Sequence, residues 1–313
     1  MKVVITGPTG VVGIALIKKH IELNNEVLAI CHRNSPGIKD IPVSPLVKIL
    51  EADLNEIKDI TYSEETYDAF YHLAWVGTIG LEREDEILQS QNIAYTLDAV
   101  RLAKRLGCYI FIGAGSQAEY GRCNERLTSV TPTHPESEYG KAKLQAGMLS
   151  RLECERLGIK HIWVRILSVY GPYGKGTDVI YKTIDAILKG KSAEFTPAEQ
   201  TWDFLYSEDA AKALSLLAEK GKAGKVYVLG SSEAKRLKEY ITRLVDVAEQ
   251  YGTANPKLKF GAVPYGEKQV MHLSADIDEL TADTGFKPEV SFEEGIQKTI
   301  NYILTEKNTS LKQ

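Results

Sequence analysis

Short apolar segments rich in β-branched residues recur along the chain and alternate with segments long enough to form helices. The apolar segments lie at residues 2–6, 26–30, 46–50, 69–73, 109–112 and 161–165. Strands that alternate with helices usually pair in parallel, because parallel neighbours need a crossover connection and an α-helix commonly supplies it. We therefore predict an α/β fold with a doubly wound parallel sheet that helices cover on both faces.

One connecting segment, residues 91–106, has the spacing of an amphipathic helix. Its apolar residues fall at positions 93, 97, 100, 102, 103 and 106, and Gly107 follows as a C-cap residue. After residue 165 the alternation gives way to a loop rich in glycine and proline at 170–176. We expect residues 1–170 to form a first domain, which regains about 201–230 through a strand at 226–229, and residues 171–313 to form mainly a smaller second domain.

Charge, hydropathy and cysteine usage exclude several classes of function. The formal net charge is −4 and no Lys/Arg cluster is interleaved with aromatic residues, so we expect no nucleic-acid partner. No apolar stretch approaches the roughly 18 residues that a membrane span needs, so we expect no membrane partner. The four cysteines form no C-x-x-C pair, and none of the six histidines has a ligand-like neighbour at useful spacing. We therefore expect no disulfide framework and no metal site, in a protein of the reducing cytoplasm.

Three glycines with the spacing G-x-x-G-x-x-G join the first predicted strand to the helix that follows. Glycines permit a tight turn and let the pyrophosphate of a ligand approach the backbone, while the helix N-terminus offers unpaired N–H donors. A turn without any ligand would use the same residues, so the motif alone leaves both interpretations open. The candidate residues for binding a dinucleotide at this turn are Gly7, Thr9, Gly10, Val11, Val12 and Gly13.

The residues after the second predicted strand bear on which dinucleotide would bind. An acidic residue at this point accepts hydrogen bonds from the adenosine ribose, whereas a basic residue accommodates a 2′-phosphate. The chain has Cys31 where the acid would stand, followed by His32 and Arg33. We predict NADP(H) as the cofactor, held by Arg33 with His32 beside it, and NAD as the alternative cofactor. A solvated Arg33 in a surface loop is the competing interpretation.

Tyr139 and Lys143 are four residues apart in a predicted helix, so their side chains project from one face about one turn apart. A nearby ammonium favours the phenolate, so the Tyr139 pKa can fall from its usual value of about 10 and make the phenol a usable acid or base. Ser116 follows the strand at 109–112, at the sheet edge where ligands bind in doubly wound folds. Tyr–Lys pairs also arise by chance on solvated helices, and serines are common in turns.

Several further motifs occur in order along nearly the whole chain. Besides the glycine turn, Ser116 and the Tyr139–Lys143 pair, they are Ala52-Asp53-Leu54, His72-Leu73-Ala74 and the segments 165–172, 202–209 and 290–295. In this combination the chain resembles the extended short-chain dehydrogenase/reductases that modify nucleotide sugars. The resemblance implies an NAD(P)-binding Rossmann domain at 1–170, a mainly substrate-binding domain at 171–313, and a nucleotide sugar as the small-molecule substrate.

The resemblance also implies roles for individual residues around the cofactor. Asp53 and Leu54 would hold the adenine, and Ala74, with Leu73 before it, would line the cofactor channel. Lys143 would touch the nicotinamide ribose while lowering the Tyr139 pKa.

Other implied roles concern catalysis and assembly. Tyr139 would exchange a proton with the substrate, Lys143 would tune it, and Ser116 would hold the substrate oxygen. Asn92 matches a helix asparagine that supports the active site and is grouped with the cofactor residues, although an exposed capping role is the alternative. Members of the family are often dimers through two helices of the first domain, which here would be the segment 91–106 and the helix carrying Tyr139, so we expect a homodimer.

Departures from the family pattern bear on the reaction. Dehydratases of this group carry an Asp-Glu pair directly after the Ser/Thr, and here those places hold Gln117 and Ala118, with Glu119 close behind. The segment 116–121 also looks like the corresponding segment of reductases that act on nucleotide-linked 4-keto-6-deoxyhexoses. We therefore favour NADPH-dependent reduction of such a ketone, with a nucleotide-sugar epimerase as the alternative and a non-catalytic dinucleotide sensor as a minor alternative.

Two more departures concern the substrate. The family has an arginine that holds the diphosphate where this chain has Trp202, and an asparagine where it has Ser168. Trp202 would stack on a base or belong to the core. Either the substrate is not a nucleotide sugar, or the missing positive charge comes from one of three residues: Lys175, Lys182 or Arg236.

Overall fold

Strands and helices alternate along the chain as the apolar segments predict. The computed structural model describes residues 1–61, 65–174, 178–251 and 257–310. In chain order its strands are β1 (Lys2–Thr6), β2 (Glu26–Cys31), β3 (Val47–Glu51), β4 (Ala69–His72), β5 (Ile110–Ser116), β6 (Lys160–Ile166), β7 (Ser168–Tyr170), β8 (Ala193–Glu194), β9 (Thr201–Tyr206), β10 (Val226–Leu229), β11 (Ala234–Arg236) and β12 (Leu258–Lys259). Its α-helices are α1 (Val11–Glu22), α2 (Glu86–Arg105), α3 (Glu138–Leu157), α4 (Val179–Leu188), α5 (Ser207–Lys220), α6 (Leu237–Glu249), α7 (Asp278–Thr284) and α8 (Phe292–Ser310). Short 3-10 helices lie at Ile38–Asp40, Leu54–Asp59, Gly80–Glu84 and Gln117–Glu119.

Seven of the described strands form one sheet in the order β10-β6-β5-β4-β1-β2-β3, and all neighbours in it are parallel. From β1 the chain moves outward through β2 and β3, and β4 then pairs with the other side of β1. The point where the strand order reverses therefore lies between β1 and β4, which is where ligands bind in folds of this type. The predicted doubly wound parallel sheet is confirmed.

Helices cover both faces of this sheet, which explains why its strands are continuous apolar runs rather than alternating ones. On one face α1 packs against α5, and their side chains form a core with Val3 and Ile5 of β1. On the other face α2 packs against α3, and their side chains meet Val4 of β1 and Phe70 of β4. Strand β10 joins the edge of the sheet beside β6, as the sequence predicts for the segment 226–229.

A second apolar core lies in the C-terminal half, between α4, α6 and α8. Two small sheets accompany it, one of order β11-β9-β7 and one of order β12-β8. The assignment of residues 1–170 and 171–313 to separate domains stays a prediction.

Helix α2 begins earlier than the sequence predicts. Its apolar spacing is clear from residue 91 onward, but the helix starts at Glu86, because the side chain of Asp85 accepts a hydrogen bond from the Leu88 N–H at 3.0 Å and caps it. The helix ends before Gly107, whose φ of +78° is left-handed, as expected for a C-terminal glycine.

Candidate active site

Two adjoining clefts open at the carboxyl ends of the parallel strands. The first cleft has a volume of about 490 Å³ and lies beyond β1, β2 and β4. The second cleft has a volume of about 870 Å³ and is continuous with the first, since Gly7, Gly10 and Leu73 line both. Tyr139 and Arg83 line the second cleft, together with residues beyond β6.

Most of the residues predicted to hold a cofactor line one or both of these clefts. The first cleft is lined by Gly7, Thr9, Gly10, His32, Asp53, Leu54, Leu73 and Ala74. The second cleft adds Val11, Val12 and Gly13. Neither cleft is lined by Arg33, Asn92 or Lys143.

Packing within the protein requires a glycine at two of the three glycine positions of the first turn, but not at the third. Gly7 has a φ of +70°, and a Cβ there would lie 2.8 Å from the backbone nitrogen of Ala74. A Cβ at Gly13 would collide with the carbonyl of Gly7. A Cβ at Gly10 would instead meet nothing closer than 3.7 Å, so packing within the protein does not demand a glycine there. The space next to Gly10 is part of the cleft, and a glycine lets a ligand approach the backbone closely.

Helix α1 begins at this turn without a side-chain cap, since its N-cap residue is Gly10. The N–H groups of its first turn therefore face the clefts with no side-chain acceptor, and the helix dipole adds a partial positive charge. Such a helix N-terminus suits a phosphate group. The combination of an open Gly10 and an uncapped α1 fits the pyrophosphate of a dinucleotide.

The end of β2 is surrounded by carboxylates. The guanidinium of Arg33 donates two hydrogen bonds to Glu56, at 2.9 and 3.1 Å, and the Arg33 backbone N–H donates to Asp53 at 3.0 Å. His32 is largely exposed, with its Nε2 3.8 Å from Asp53. Arg33 could contact a 2′-phosphate by giving up the ion pair with Glu56, because both groups are solvent-exposed and an exposed ion pair contributes little to stability. The NADP assignment through Arg33 stays a prediction.

Asn92 lies behind the first cleft rather than in it. Its side chain is buried, accepts from the Val76 N–H at 2.9 Å and donates to the Val76 carbonyl at 3.0 Å. It therefore holds the segment after β4 in place from the α2 side. The exposed capping role considered for Asn92 does not apply.

Ser116, Tyr139 and Lys143 are brought together by β5 and α3. Ser116 is the last residue of β5, and α3 begins just before Tyr139 because the side chain of Ser137 accepts from the Gly140 N–H at 3.1 Å. Tyr139 and Ser116 interact by hydrogen bonding, and Lys143 Nζ donates to the carbonyl of Ala114 in β5 at 2.7 Å. All three side chains are buried.

The protonation of Tyr139 differs from the sequence-based expectation. Burial raises the Tyr139 pKa above its usual value, and the hydrogen bond with Ser116 and the charge of Arg83 offset this only in part. The expectation of a Tyr139 pKa lowered toward neutrality is therefore wrong, because burial outweighs the charges around the phenol. The Lys143 ammonium lies 5.8 Å from the Tyr139 ring centroid, whereas the Arg83 guanidinium lies 4.1 Å from it. At neutral pH the phenol therefore keeps its proton.

Glu119 points away from both clefts. Its carboxylate is fully buried and accepts from Arg165 Nε at 2.7 Å, Trp163 Nε1 at 3.0 Å and the Ser116 N–H at 2.8 Å. It thus serves as the buried counter-ion of Arg165 and as a support for Ser116.

The two residues that depart from the family pattern in the second cleft touch each other. Trp202 Nε1 donates a hydrogen bond to Ser168 Oγ at 2.7 Å, and both side chains line the cleft. The wall around them is apolar and aromatic, with Val169, Phe195 and Phe204.

Of the three positions considered as a source of positive charge for this cleft, the two described ones do not supply it. Arg236 pairs with Glu199 at 2.9 Å, and Lys182 is exposed on α4, so neither lines the cleft. Lys175 lies outside the described residues. Among the described residues that line the second cleft, Arg83 is the one cation, and its Nη1 donates to the Thr78 carbonyl at 3.0 Å.

Two residues of this site were missed by sequence reasoning. Trp75 directly follows the His72-Leu73-Ala74 motif at the carboxyl end of β4, and that position alone could have marked it as a site residue. Arg83 lies in a 3-10 helix well beyond the strand, and no local signal connects it to Tyr139.

No group of three or more His, Cys, Asp and Glu side chains lies close enough to hold a metal ion in the described part of the chain. No helix within the described ranges is long and apolar enough to cross a membrane.

Comparisons with known proteins agree with this geometry. The model of the NAD dependent epimerase/dehydratase family matches residues 3–230. The dTDP-glucose 4,6-dehydratase of Haemophilus influenzae is 23% identical over 339 residues, which cover 99% of this chain and all of that protein.

Solved structures of related enzymes share the fold along the whole chain. The UDP-N-acetylglucosamine 4-epimerase of Methanobrevibacter ruminantium, in complex with UDP-N-acetylmuramic acid, is 25% identical with a TM-score of 0.87, and covers 97% of this chain and 98% of its own. The dTDP-glucose 4,6-dehydratase DesIV of Streptomyces venezuelae is 18% identical with a TM-score of 0.85, and covers 98% of both chains. With a matched family model over most of its length, the chain belongs to the NAD dependent epimerase/dehydratase family.

Proposed function

We propose that this protein reduces the keto group of a nucleotide-linked 4-keto-6-deoxy sugar, with a nicotinamide dinucleotide as the hydride donor. The observation that carries the proposal is the position of Glu119. A 4,6-dehydratase needs an acid and a base beside the sugar, but Gln117 and Ala118 cannot serve and Glu119 is held by Arg165 beneath Ser116. Reduction of a ketone needs a single proton donor, which Tyr139 can supply.

The carboxylates that do line the second cleft among the described residues have structural partners. Asp178 caps α4 by accepting from the Tyr181 N–H at 2.8 Å. Glu194 pairs with Lys259 Nζ at 2.8 Å. Neither forms the adjacent acid–base pair that dehydration requires.

The first cleft fits the dinucleotide, with the pyrophosphate at the uncapped N-terminus of α1 and the adenine near Asp53 and Leu54. When bound, the reduced dinucleotide supplies the hydride. Ser116 orients the substrate carbonyl, and Tyr139 donates its phenolic proton to the carbonyl oxygen. Because burial keeps the phenol protonated, Tyr139 is poised as an acid. The charges of Arg83 and Lys143 then stabilise the phenolate that remains.

A nucleotide-sugar epimerase is the second candidate, because of one observation. Arg33 is paired with Glu56, with Asp53 close by, so the end of β2 is rich in carboxylates and suits a ribose hydroxyl better than a phosphate. That arrangement favours NAD, the cofactor named for the family. An epimerase would use the same Tyr139 to remove and return the proton of one hydroxyl.

We extend the proposal to a homodimer through α2 and α3. The side chains of Met148 and Leu152 on α3 are 62% and 61% exposed, and Ile87 on α2 is 73% exposed. In a two-fold symmetric dimer both copies would contribute these same three side chains to the interface, where they would bury one another from water.

The reaction is tested by mixing the purified protein with NADPH or NADH and a nucleotide-linked 4-keto-6-deoxyhexose. We expect the nicotinamide absorbance to fall by one equivalent per sugar, with NADPH preferred if Arg33 leaves Glu56 for the 2′-phosphate. Turnover of a UDP-hexose without absorbance change would establish the epimerase instead. Dehydration of a dTDP-hexose would contradict both candidates.

Substitution of the catalytic pair should affect the reaction in two ways. Tyr139→Phe should lower the turnover rate by about 10²- to 10⁴-fold, the usual contribution of a positioned proton donor. Lys143→Met should lower the rate and weaken cofactor binding. The losses should not add in the double variant, because a lysine that acts through the phenol has little to act on without it. Tyr109→Phe, an exposed tyrosine away from both clefts, is the control. Near-normal turnover in Tyr139→Phe would remove Tyr139 from the mechanism.

Arg83 should supply the positive charge for an anionic substrate, since it is the cation of the described second cleft and has no carboxylate partner there. Calorimetry should show that Arg83→Met binds UDP or dTDP about 10- to 100-fold more weakly, which corresponds to about 1.5–3 kcal/mol for a charged hydrogen bond. Arg236→Met, which breaks an ion pair outside the cleft, should bind normally. Unchanged affinity in Arg83→Met would assign the diphosphate to another residue.

The dimer is tested by light scattering of the purified protein. The double variant Met148→Glu, Leu152→Glu should halve the mass, because two buried charges on each copy would destabilise the interface. Val43→Glu, at a fully exposed valine elsewhere, should leave the mass unchanged. A monomeric parent protein would overturn the proposed interface.

A further inference from the structure

The indole of Trp75 lies directly against the catalytic pair. The Lys143 Nζ is 3.7 Å from the centroid of the Trp75 ring, which is a short distance for a cation–π contact. The edge of the same residue meets the Tyr139 ring, with centroids 6.0 Å apart and planes at 81°. Trp75 therefore contacts both members of the pair at once.

The orientation of this indole is fixed from behind. Trp75 Nε1 donates to Gln89 Oε1 at 2.8 Å. The amide nitrogen of Gln89 in turn donates to the carbonyls of Gly77 at 2.7 Å and Glu82 at 2.9 Å. Gln89 is 1% exposed, so its side chain is held on every side. The hydrogen bonds of the Gln89 side chain, which belongs to α2, thus fix the ring with its face toward the Lys143 ammonium.

Lys143 has few other means of keeping a charge. Its side chain is 4% exposed; the ammonium donates to the Ala114 carbonyl, and the nearest aromatic ring to it is that of Trp75, while the Tyr139 ring centroid is 5.8 Å away. Lys143 makes no ion pair with a carboxylate among the described residues. Glu119 attracts it electrostatically without a direct contact, since the Glu119 carboxylate is paired with Arg165. A buried ammonium without such compensation tends to lose its proton.

We propose that Trp75 is a positioning residue that keeps the Lys143 ammonium charged and in place beside Tyr139. The inference deepens the proposed function, because it concerns the same proton-donating pair. An aromatic face suits this position better than a carboxylate. A carboxylate would also hold the ammonium, but its negative charge would oppose formation of the Tyr139 phenolate, whereas the ring adds no net charge.

The charged and titratable groups that face Lys143 come from three elements. They are His72 at the end of β4, Glu119 in the 3-10 helix Gln117–Glu119, and Tyr139 on α3. Burial lowers the pKa of His72 to about 3 and raises that of Tyr139, so both are neutral near pH 7. Burial lowers the pKa of Lys143 to about 7, so among these groups it is the lysine that changes charge near neutrality.

The charge state of Lys143 therefore determines whether turnover rises or falls with pH. Lys143 is charged below its pKa, so turnover that needs the ammonium should fall as the pH rises through that value. Loss of the ring should lower the Lys143 pKa by about one unit, the size expected for a desolvated cation–π contact. At pH 7 the charged fraction would then fall from about a half to about a tenth.

The pH profile of turnover in the cofactor-loaded protein provides the first test. Trp75→Leu should move the midpoint of the basic limb about one unit lower, and Trp75→Phe should give an intermediate midpoint because its ring binds cations more weakly. Trp163→Phe would disturb the Glu119 bond, so Tyr109→Phe, at an exposed tyrosine that lines neither cleft, is the matched control. Equal midpoints in the parent and both Trp75 variants would overturn the proposal.

A second test does not require activity or a stable Trp75 variant. The indole emission of the parent protein should change as the ammonium above the ring loses its proton, with a midpoint near pH 7. Lys143→Met should abolish this step and leave the emission of Trp163 and Trp202 as a baseline. A step that persists in Lys143→Met, or a parent without one, would overturn the proposal. If the protein reduced no keto sugar but still showed the pH-dependent change in indole emission, the proposed function would fail and the inference about Trp75 would stand.

Discussion

The buried ion pair of Glu119 and Arg165 underlies the arrangement of the whole site. The carboxylate accepts from the Ser116 N–H at the end of β5 and from the indole N–H of Trp163 on β6, so it links these two neighbouring strands at Ser116. Trp163 packs in turn against Gly147 of α3, where a Cβ would lie 2.7 Å from the ring. Removing one member of a buried pair costs about 3–5 kcal/mol because the other is left uncompensated. The distance between α3 and β5 therefore depends on a pair that no substrate would touch.

Burial and charge act in opposite directions on Tyr139 and Lys143, the pair that we propose to supply the proton. Removal from water favours the neutral form of both Tyr139 and Lys143, and it raises one pKa while lowering the other. The protein offsets this effect with groups of different kinds: a guanidinium over the phenol and an aromatic face under the ammonium. A neutral phenol beside a lysine that titrates near neutrality is suited to giving up a proton, which is the role that we propose for Tyr139.

Local sequence patterns predicted the strands and the glycine turn well. The features that they missed depend on contacts between residues far apart in the sequence. The β-branched runs identified the strands of the main sheet, and the glycine spacing identified the turn at Gly10, because both depend on short-range geometry. The ion pair of Arg33 with Glu56 joins residues 23 positions apart, and the bond of Trp202 to Ser168 joins residues 34 apart. Neither could be derived without the packing of the whole sheet. The same is true of the Tyr139 pKa, since burial by surrounding elements outweighs the lysine one turn away.

The bond between Trp202 and Ser168 also constrains how this cleft can change. Two positions where the chain departs from its family are coupled through one donor and one acceptor. Replacing Trp202 with arginine alone would leave Ser168 without its donor and place a long cation where an indole now packs. Replacing Ser168 alone would leave the indole N–H without its acceptor. A cleft with an arginine at position 202 would therefore require both residues to change together, so the two positions are structurally coupled.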